Sequence, residues 1–364
     1  MEKEQGQEQT QEKKALLPGR VQQVLRWLGT LFLETLLIVV VALYGVMFVL
    51  TKGPSPTARD LFVRSVRETS AVGFLANLFF SEEEIARMTA PRSEEDYEGT
   101  DPSLIVISTG EKGEGEEPQP DAWGFVDEDG DGIILDVVEG EGYHGYMMIV
   151  LDPSRVALGC QPEWFGIKGF TVAEMVEEFD AVAGINGGGF KDPIGAGNGS
   201  LPNSLVVYDG KVYYPEYGVS QGFAGFDKNF ILHVGEFTEE ELLEREIQFG
   251  VCFGPALITN GVPRSEESLS TGLNPRTGIG QRSDGAVLLL VIEGRMVSSI
   301  GATCYDMVQV FQKYGAVNAC NLDGGSSSMM WFDGGYVNRC SSVRGIRQGP
   351  ACFLVLKEGV SRDG

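Results

Sequence analysis

The chain has 364 residues, 43% of them hydrophobic, enough for one large or two ordinary domains with a substantial core. A formal net charge of −24 excludes non-specific nucleic-acid binding. With only two histidines, His144 and His233, and six cysteines without a CxxC pair, a His-rich or Cys-rich metal centre is not indicated, and the thiols read as buried and free.

Residues 1–26 open with a Glu-, Gln- and Lys-rich run that has no apolar period, and they read as a disordered cytoplasmic tail. Residues 27–50, Trp27 to Leu50, are almost wholly apolar and long enough to cross a lipid bilayer as a helix. Glu34 is the one ionisable residue there, placed towards the head groups. The apolar core is too long for a cleaved signal peptide. Lys13, Lys14, Arg20 and Arg26 precede the span, and Lys52, Arg59, Arg64 and Arg67 follow it, so charge bias barely sets its orientation. A short N-terminal tail and a large C-terminal part fit an inside N-terminus, with the C-terminal domain outside the cytoplasm.

Residues 51–120 read as a juxtamembrane helical and acidic linker region, with apolar Leu61, Phe62, Val66, Leu75 and Leu78 at its start. From Glu82 to Glu141 the chain is strongly acidic, with only Arg87, Arg92 and Lys112 as cations. Its EKGEGEEPQP run is that of a flexible linker, which places the domain boundary near residue 120. Asp127, Asp129 and Asp131 followed by Gly132 match the start of a calcium loop, but the twelfth position is Val138 and Glu139 comes one residue late. A plain acidic turn is the preferred reading, with calcium at these three acids as the alternative.

From Gly145 the pattern is that of a folded domain, residues 121–364. Expected strands are Tyr146 to Leu151, Ala181 to Ile185, Leu205 to Tyr208, Val212 to Tyr214, Ala256 to Thr259 and the fully apolar Ala286 to Ile292. Expected helices are Thr171 to Phe179, Glu239 to Glu246 and Asp306 to Tyr314. This is an α+β class, a mixed β-sheet core with flanking helices, preceded by one transmembrane helix.

Three polar segments interrupt the pattern. Ala316 to Cys320 ends at Asn321-Leu322-Asp323, followed by Gly324, Gly325 and three serines from Ser326. EFDAVAGIN and KYGAVNACN align without a gap, and the first runs into Asn186, Gly187 and Gly188. In both, a helix feeds a strand that ends in Asn before a Gly-rich loop, so the two loops are expected to converge beyond the strand ends, where ligands bind in sheets. The third segment, Asn274 to Gln281, offers Arg276 and Thr277. Arginine presents a planar fork suited to phosphate. Each segment alone also fits an ordinary turn. Together they supply a cation, an acid, amides, hydroxyls and backbone N–H groups.

AVAGINGGGF, NPRTGIGQ, LLLVIEGR and AVNACNLDGGSSSMMW resemble the motifs of the phosphodiester glycosidase domain family. The chain is similar in particular to bacterial membrane-anchored members labelled exopolysaccharide biosynthesis proteins. The resemblance covers roughly Asp121 to Leu356 and departs from the pattern at Gly278, where Ala is common, and at Ser326-Ser327-Ser328. It implies hydrolysis of a sugar-1-phosphodiester in envelope or exopolysaccharide material. Arg276 and Thr277 would contact phosphate. Asn186, Gly187, Gly188, Asn321, Gly324, Gly325, Ser326 and Ser327 would line the pocket. Asp323 would be the catalytic acid, base or nucleophile, and Glu293 a second carboxylate, unless it is merely a hairpin residue. No resident metal or cofactor is implied. The competing readings are a non-catalytic glycan-binding surface domain, which needs no acid, and a serine hydrolase, which lacks GxSxG and has only His144 or His233 as base.

Overall fold

Nothing in the apolar run from Gln23 to Lys52 breaks a helix, and α1 (Gly19–Lys52) forms without interruption. Its apolar stretch of 30 residues has a mean hydropathy of 2.5, so by length and composition it suffices to cross a membrane. The Thr30 and Thr35 hydroxyls bond back to the Arg26 and Leu31 carbonyls, which satisfies these polar groups within the helix. The computed structural model describes residues 19–69, 72–91, 99–107, 118–192, 197–214, 218–342 and 344–360. The expected disordered tail and the Gly-Glu-Pro run lie largely outside them. Two units result, residues 1–59 and residues 60–364.

In the larger unit, the part of α2 (Pro56–Arg67) from Asp60 onwards, α3 (Phe74–Asn77) and α4 (Glu82–Thr89) share a small core of Val63, Val66, Ala76, Phe80, Ile85 and Met88. The hairpin β1 (Ile133–Gly140) and β2 (Tyr143–Val150) is followed by β3 (Val156–Cys160), α5 (Val172–Glu178) and β4 (Ala181–Asn186). Next come β5 (Val206–Tyr208), β6 (Lys211–Tyr213), β7 (Gln221–Asp227), β8 (Leu232–Phe237), α6 (Glu239–Glu244) and β9 (Ile247–Cys252). Then β10 (Ala256–Thr259), β11 (Val262–Pro263), α7 (Glu266–Leu269), β12 (Arg276–Arg282) and β13 (Val287–Ile292) lead to α8 (Cys304–Lys313). The chain closes with β14 (Ala316–Leu322), β15 (Met330–Phe332), β16 (Gly335–Tyr336) and β17 (Ala351–Leu356).

The strands form three sheets, ordered β1-β2-β13-β12-β14-β10-β11, β16-β15-β4-β17-β3 and β6-β5-β9-β7-β8, and the ladders between them run antiparallel. This is the expected α+β class, with its sheet content divided among three sheets. β13 is buried along its whole length because both of its faces are covered. Val287, Leu289 and Val291 point into a core shared with Ile185, Phe226, Phe249 and Phe353 of the other two sheets. Leu288, Leu290 and Ile292 face Met307, Val308 and Phe311 of α8. Each such side chain contributes about 1.5–3 kcal/mol on burial.

Two expectations change here. Asn274 to Gln281 is not a polar loop from end to end, since Arg276 onwards forms the buried strand β12. A Cβ on Gly278 would lie 2.6 Å from Met307 Cε, and one on Gly280 would lie 2.9 Å from Phe311, so these glycines let α8 pack onto the sheet. The boundary near residue 120 also shifts, to residue 59/60. The preceding segments are tied into the domain: Val106 N–H donates to the Ser283 carbonyl, Thr100 exchanges bonds with Val234, and Arg282 pairs with Asp121 while stacking on Trp123.

Candidate active site

Antiparallel pairing of β12 with β14 sets Thr277 opposite Leu322, so the start of one strand lies beside the end of the other. Arg276 and the Asp323 loop therefore meet at one sheet edge. Gly325 N–H donates to the Pro275 carbonyl at 2.8 Å, and a Cβ on Gly324 would come within 2.8 Å of that same oxygen. The companion loop arrives from the second sheet. Asp323 N–H donates to the Gly187 carbonyl, and Asn186 Nδ2 donates to the Asp323 carbonyl at 2.6 Å. The echoed loops thus converge, although β4 and β14 belong to different sheets. Gly188 lets β9 pack against the companion loop, since a Cβ there would lie 2.9 Å from Val251 Cβ.

These loops border a cleft of about 1040 Å³. Among the described residues six arginines line it (Arg64, Arg67, Arg276, Arg295, Arg344 and Arg347), against three acids, Glu68, Asp192 and Asp323. A chain of net charge −24 has gathered positive charge at this one place, which favours an anionic ligand. Arg276 is buried, with Nε donating to the Ala302 carbonyl and Nη2 to the Gly272 carbonyl. Its remaining partner is the Glu68 carboxylate, at 2.7 Å. The same carboxylate accepts from Asn274 Nδ2 at 3.0 Å and from Gly272 N–H at 2.6 Å. Three donors, one of them cationic, thus converge on an anion. Arg295 Nη2 donates to Asn274 Oδ1 at 2.9 Å and so aims the amide N–H₂ at that anion. Burial, together with the adjacent Arg276 charge, holds the Arg295 guanidinium below its ordinary range. Gly272 lacks a side chain for good reason, since a Cβ would lie 2.2 Å from Ser65 N on α2.

Asp323 shows part of its surface to the cleft, yet protein atoms crowd it on every other side. Burial pushes its carboxyl up to about 7. Hydrogen bonds from Ser327 and from Gly324 N–H, together with the Arg347 charge, oppose the rise, and Asp192 adds to it. A carboxyl poised there can exchange a proton at neutral pH.

The structure sorts the remaining expected residues. Asn321, Gly324, Gly325, Ser326 and Ser327 line the cleft with Asp323 and Arg276. Asn321 Nδ2 donates to the Gly254 carbonyl, while its buried Oδ1 has no hydrogen-bond partner among the described residues. Asn186, Gly187 and Gly188 line a small adjoining recess that also includes Asp323. Thr277 is fully buried, and its hydroxyl donates to Asn186 Oδ1 at 2.9 Å, which makes it a clasp between sheets and not a phosphate contact. Thr277→Val should therefore lower the melting temperature by about 2–4 °C, for one buried hydrogen bond of about 1 kcal/mol, and leave the KM for any anionic substrate unchanged. Glu293 is buried away from the cleft lining; its carboxylate accepts from Arg339 N–H at 2.6 Å and lies 3.3 Å from His144 Nδ1. It supports the hairpin that carries Arg295. Neither His144 nor His233 lines the cleft, so the three serines have no histidine base there. Asp127 binds the Gly130 and Gly132 N–H groups, and Asp131 binds Ile133 N–H, so these acids serve the turn into β1. Their ligand atoms, with those of Asp129, lie within 4.8 Å of one another.

Glu68, Asp192 and Arg347 are cleft residues outside the quoted motifs, and Arg295, the last residue of LLLVIEGR, had no role assigned to it. Glu68 carries no local signal, because its partners lie some two hundred residues on. Arg295 stands two residues after Glu293 in the same turn, and its φ of 60° follows from the hairpin.

Residues 179–356, just under half of the chain, match the family model described as phosphodiester glycosidase. Among curated relatives, the SPbeta prophage-derived uncharacterized protein YomE of Bacillus subtilis (strain 168) is 33% identical over 183 residues, covering 47% of this chain and 27% of that protein. The N-acetylglucosamine-1-phosphodiester alpha-N-acetylglucosaminidase of Mus musculus is 26% identical over 221 residues, covering 54% of this chain and 41% of that enzyme. The chain thus spans well under half the length of these relatives. The solved catalytic domain of the zebrafish enzyme of that name, described as auto-inhibited by its pro-peptide, aligns with a TM-score of 0.52 at 18% identity. It covers 62% of this chain and 82% of that domain, and the likeness is one of fold.

Proposed function

We propose that the protein hydrolyses a sugar-1-phosphodiester. The observation that carries this reading is that a carboxyl poised near neutrality, Asp323, shares one cleft with the converging donors of Gly272, Asn274 and Arg276. Arg276 and Asn274 would hold the phosphate. A phosphate ester is a good leaving group that needs little protonation, so the demanding task is activation of water. Asp323 takes a proton from water as its oxygen bonds to the anomeric carbon. The bond from that carbon to the phosphate oxygen breaks, and phosphate leaves on its alcohol. The family match and the named activity of the mouse relative support this class of reaction.

In this reading α1 tethers the enzyme to a membrane, with the domain outside the cytoplasm and its substrate in envelope or exopolysaccharide material. The apolar stretch supports the tether. In this reading Glu68 holds the place of the substrate's phosphate on Arg276 and would have to leave for the diester to bind. The full chain in detergent, incubated with an N-acetylglucosamine-1-phosphate diester, should release free sugar and a phosphomonoester. Retention of the diester without turnover, in the wild type and in Glu68→Ala alike, would instead assign a glycan-binding role. The Asp127 loop is taken as an acidic turn, so millimolar calcium should move the melting temperature by no more than about 1 °C.

A further inference from the structure

Arg347 and Asp192 form an ion pair at 3.0 Å with side-chain exposures of only 10% and 17%, in the wall of the cleft that also holds Asp323. The pair is firmly seated. Arg347 lies 5.2 Å from the Phe190 ring centroid and also donates to the Gly197 carbonyl, while Asp192 Oδ1 accepts from Gly197 N–H at 2.6 Å. Arg347 shares with Asp323 and Ser327 the small recess behind the loop, and Asp192, paired with Arg347, lines the same cleft as Asp323. A buried pair beside a candidate catalytic acid is more than packing, because salt screens its charges weakly.

We propose that Asp192 and Arg347 are positioning residues whose pairing sets the proton affinity of Asp323, Asp192 restraining the positive charge that Arg347 brings to the recess. The proposal rests on Asp323 being the proton-transfer group of the reading above. A lone guanidinium beside a carboxyl lowers its pKa by about 1–3 units and makes it a poor base at neutral pH. With Asp192 engaging the guanidinium, the positive charge reaching Asp323 is partly cancelled; Asp192 and Arg347 act on Asp323 in opposite directions, as this arrangement requires. The other groups facing Asp323 are the Ser327 hydroxyl and Gly324 N–H from its own loop. Arg64, Arg67, Glu68, Arg276, Arg295 and Arg344 line the same cleft. All of these stay in place in the variants below.

Removing the two partners singly should move Asp323 in opposite directions, which a merely structural pair would not do. Asp192→Asn keeps the shape and an oxygen for Gly197 N–H but frees the Arg347 charge. Arg347→Gln removes that charge, and Arg347→Met is the alternative that keeps the aliphatic cover over Phe190. The probe is the ¹³Cγ resonance of Asp323 in the full chain, aspartate-labelled and held in detergent micelles, with Asp323→Asn identifying the signal. Its titration midpoint should fall by about one pH unit in Asp192→Asn and rise by about one in Arg347→Gln or Arg347→Met, with the double variant returning towards wild type. The rising limb of kcat/KM against pH should move with the midpoint. Midpoints that stay at the wild-type value, or that move in the same direction in both single variants, would overturn the proposal. If the midpoints move as expected but no diester is hydrolysed, the pairing stands and the proposed reaction fails.

Discussion

Asp323→Asn should lower kcat on a sugar-1-phosphodiester by about 10²–10⁴-fold with little change in KM, the range for losing a general base. The carboxyl reaches about 7 because burial opposes its charge, so the wild type should gain activity as pH rises through that value. The amide variant should keep only a low, pH-flat residue of rate. Stability should respond in the opposite sense. Between its ordinary value of 3.8 and about 7, Asp323 is protonated in the folded state and ionised in the unfolded one. The folded state then binds more protons, and the wild type loses stability as pH rises across that window. Asp323→Asn cannot ionise and escapes the loss. Its melting temperature should match wild type near pH 4 and exceed it by about 2 °C or more at pH 8. Full activity in this variant would remove Asp323 from the reaction. A melting difference independent of pH would mean that the carboxyl is not held near 7.

Glu68→Ala should lower KM by about 10–100-fold at unchanged kcat, since it removes an internal anion whose charge-assisted bonds to Arg276 and its neighbours amount to about 1.5–3 kcal/mol. The Arg276 side chain is only 8% exposed and Glu68 30%, so the pair is half-sheltered and its loss leaves a buried guanidinium without a counter-charge. The variant should therefore melt about 2–6 °C lower than wild type, for a loss of about 1–2 kcal/mol. Millimolar inorganic phosphate should restore most of that, because an anion that binds only the folded state stabilises it. Wild type, with Glu68 already in place, should respond much less. An unchanged KM together with no phosphate response would show that the site holding Glu68 is not where the substrate's phosphate binds.

Much of the local structure was legible in residue patterns. The unbroken apolar run that buries β13, and Thr171 capping α5 through Glu174, follow from side-chain chemistry over a few residues. The Asp323 loop was legible because a strand that ends in Asn-Leu-Asp-Gly-Gly must turn. β12 was misread because glycine in alternate positions looks like a loop, when only the α8 side chains above it explain the missing Cβ atoms. Thr277 and Arg276 are adjacent in sequence, and alternation along a strand sends them to opposite faces, one into the sheet junction and one towards the cleft. No local pattern distinguishes those fates.

By itself the sequence determined the α+β class and the apolar N-terminal helix, and it singled out the Asn186 and Asp323 loops and Arg276 as polar motifs. Each is fixed by short-range preferences or by a motif whose residues are contiguous. Tertiary structure alone decided that Glu68 occupies Arg276, that Arg295 orients Asn274, that Glu293 supports a hairpin, and that Asp192 and Arg347 flank Asp323. The physical reason is distance along the chain. Electrostatic and desolvation effects fall off over a few ångströms of space, and the groups that set the charge of this cleft come from segments up to nearly three hundred residues apart.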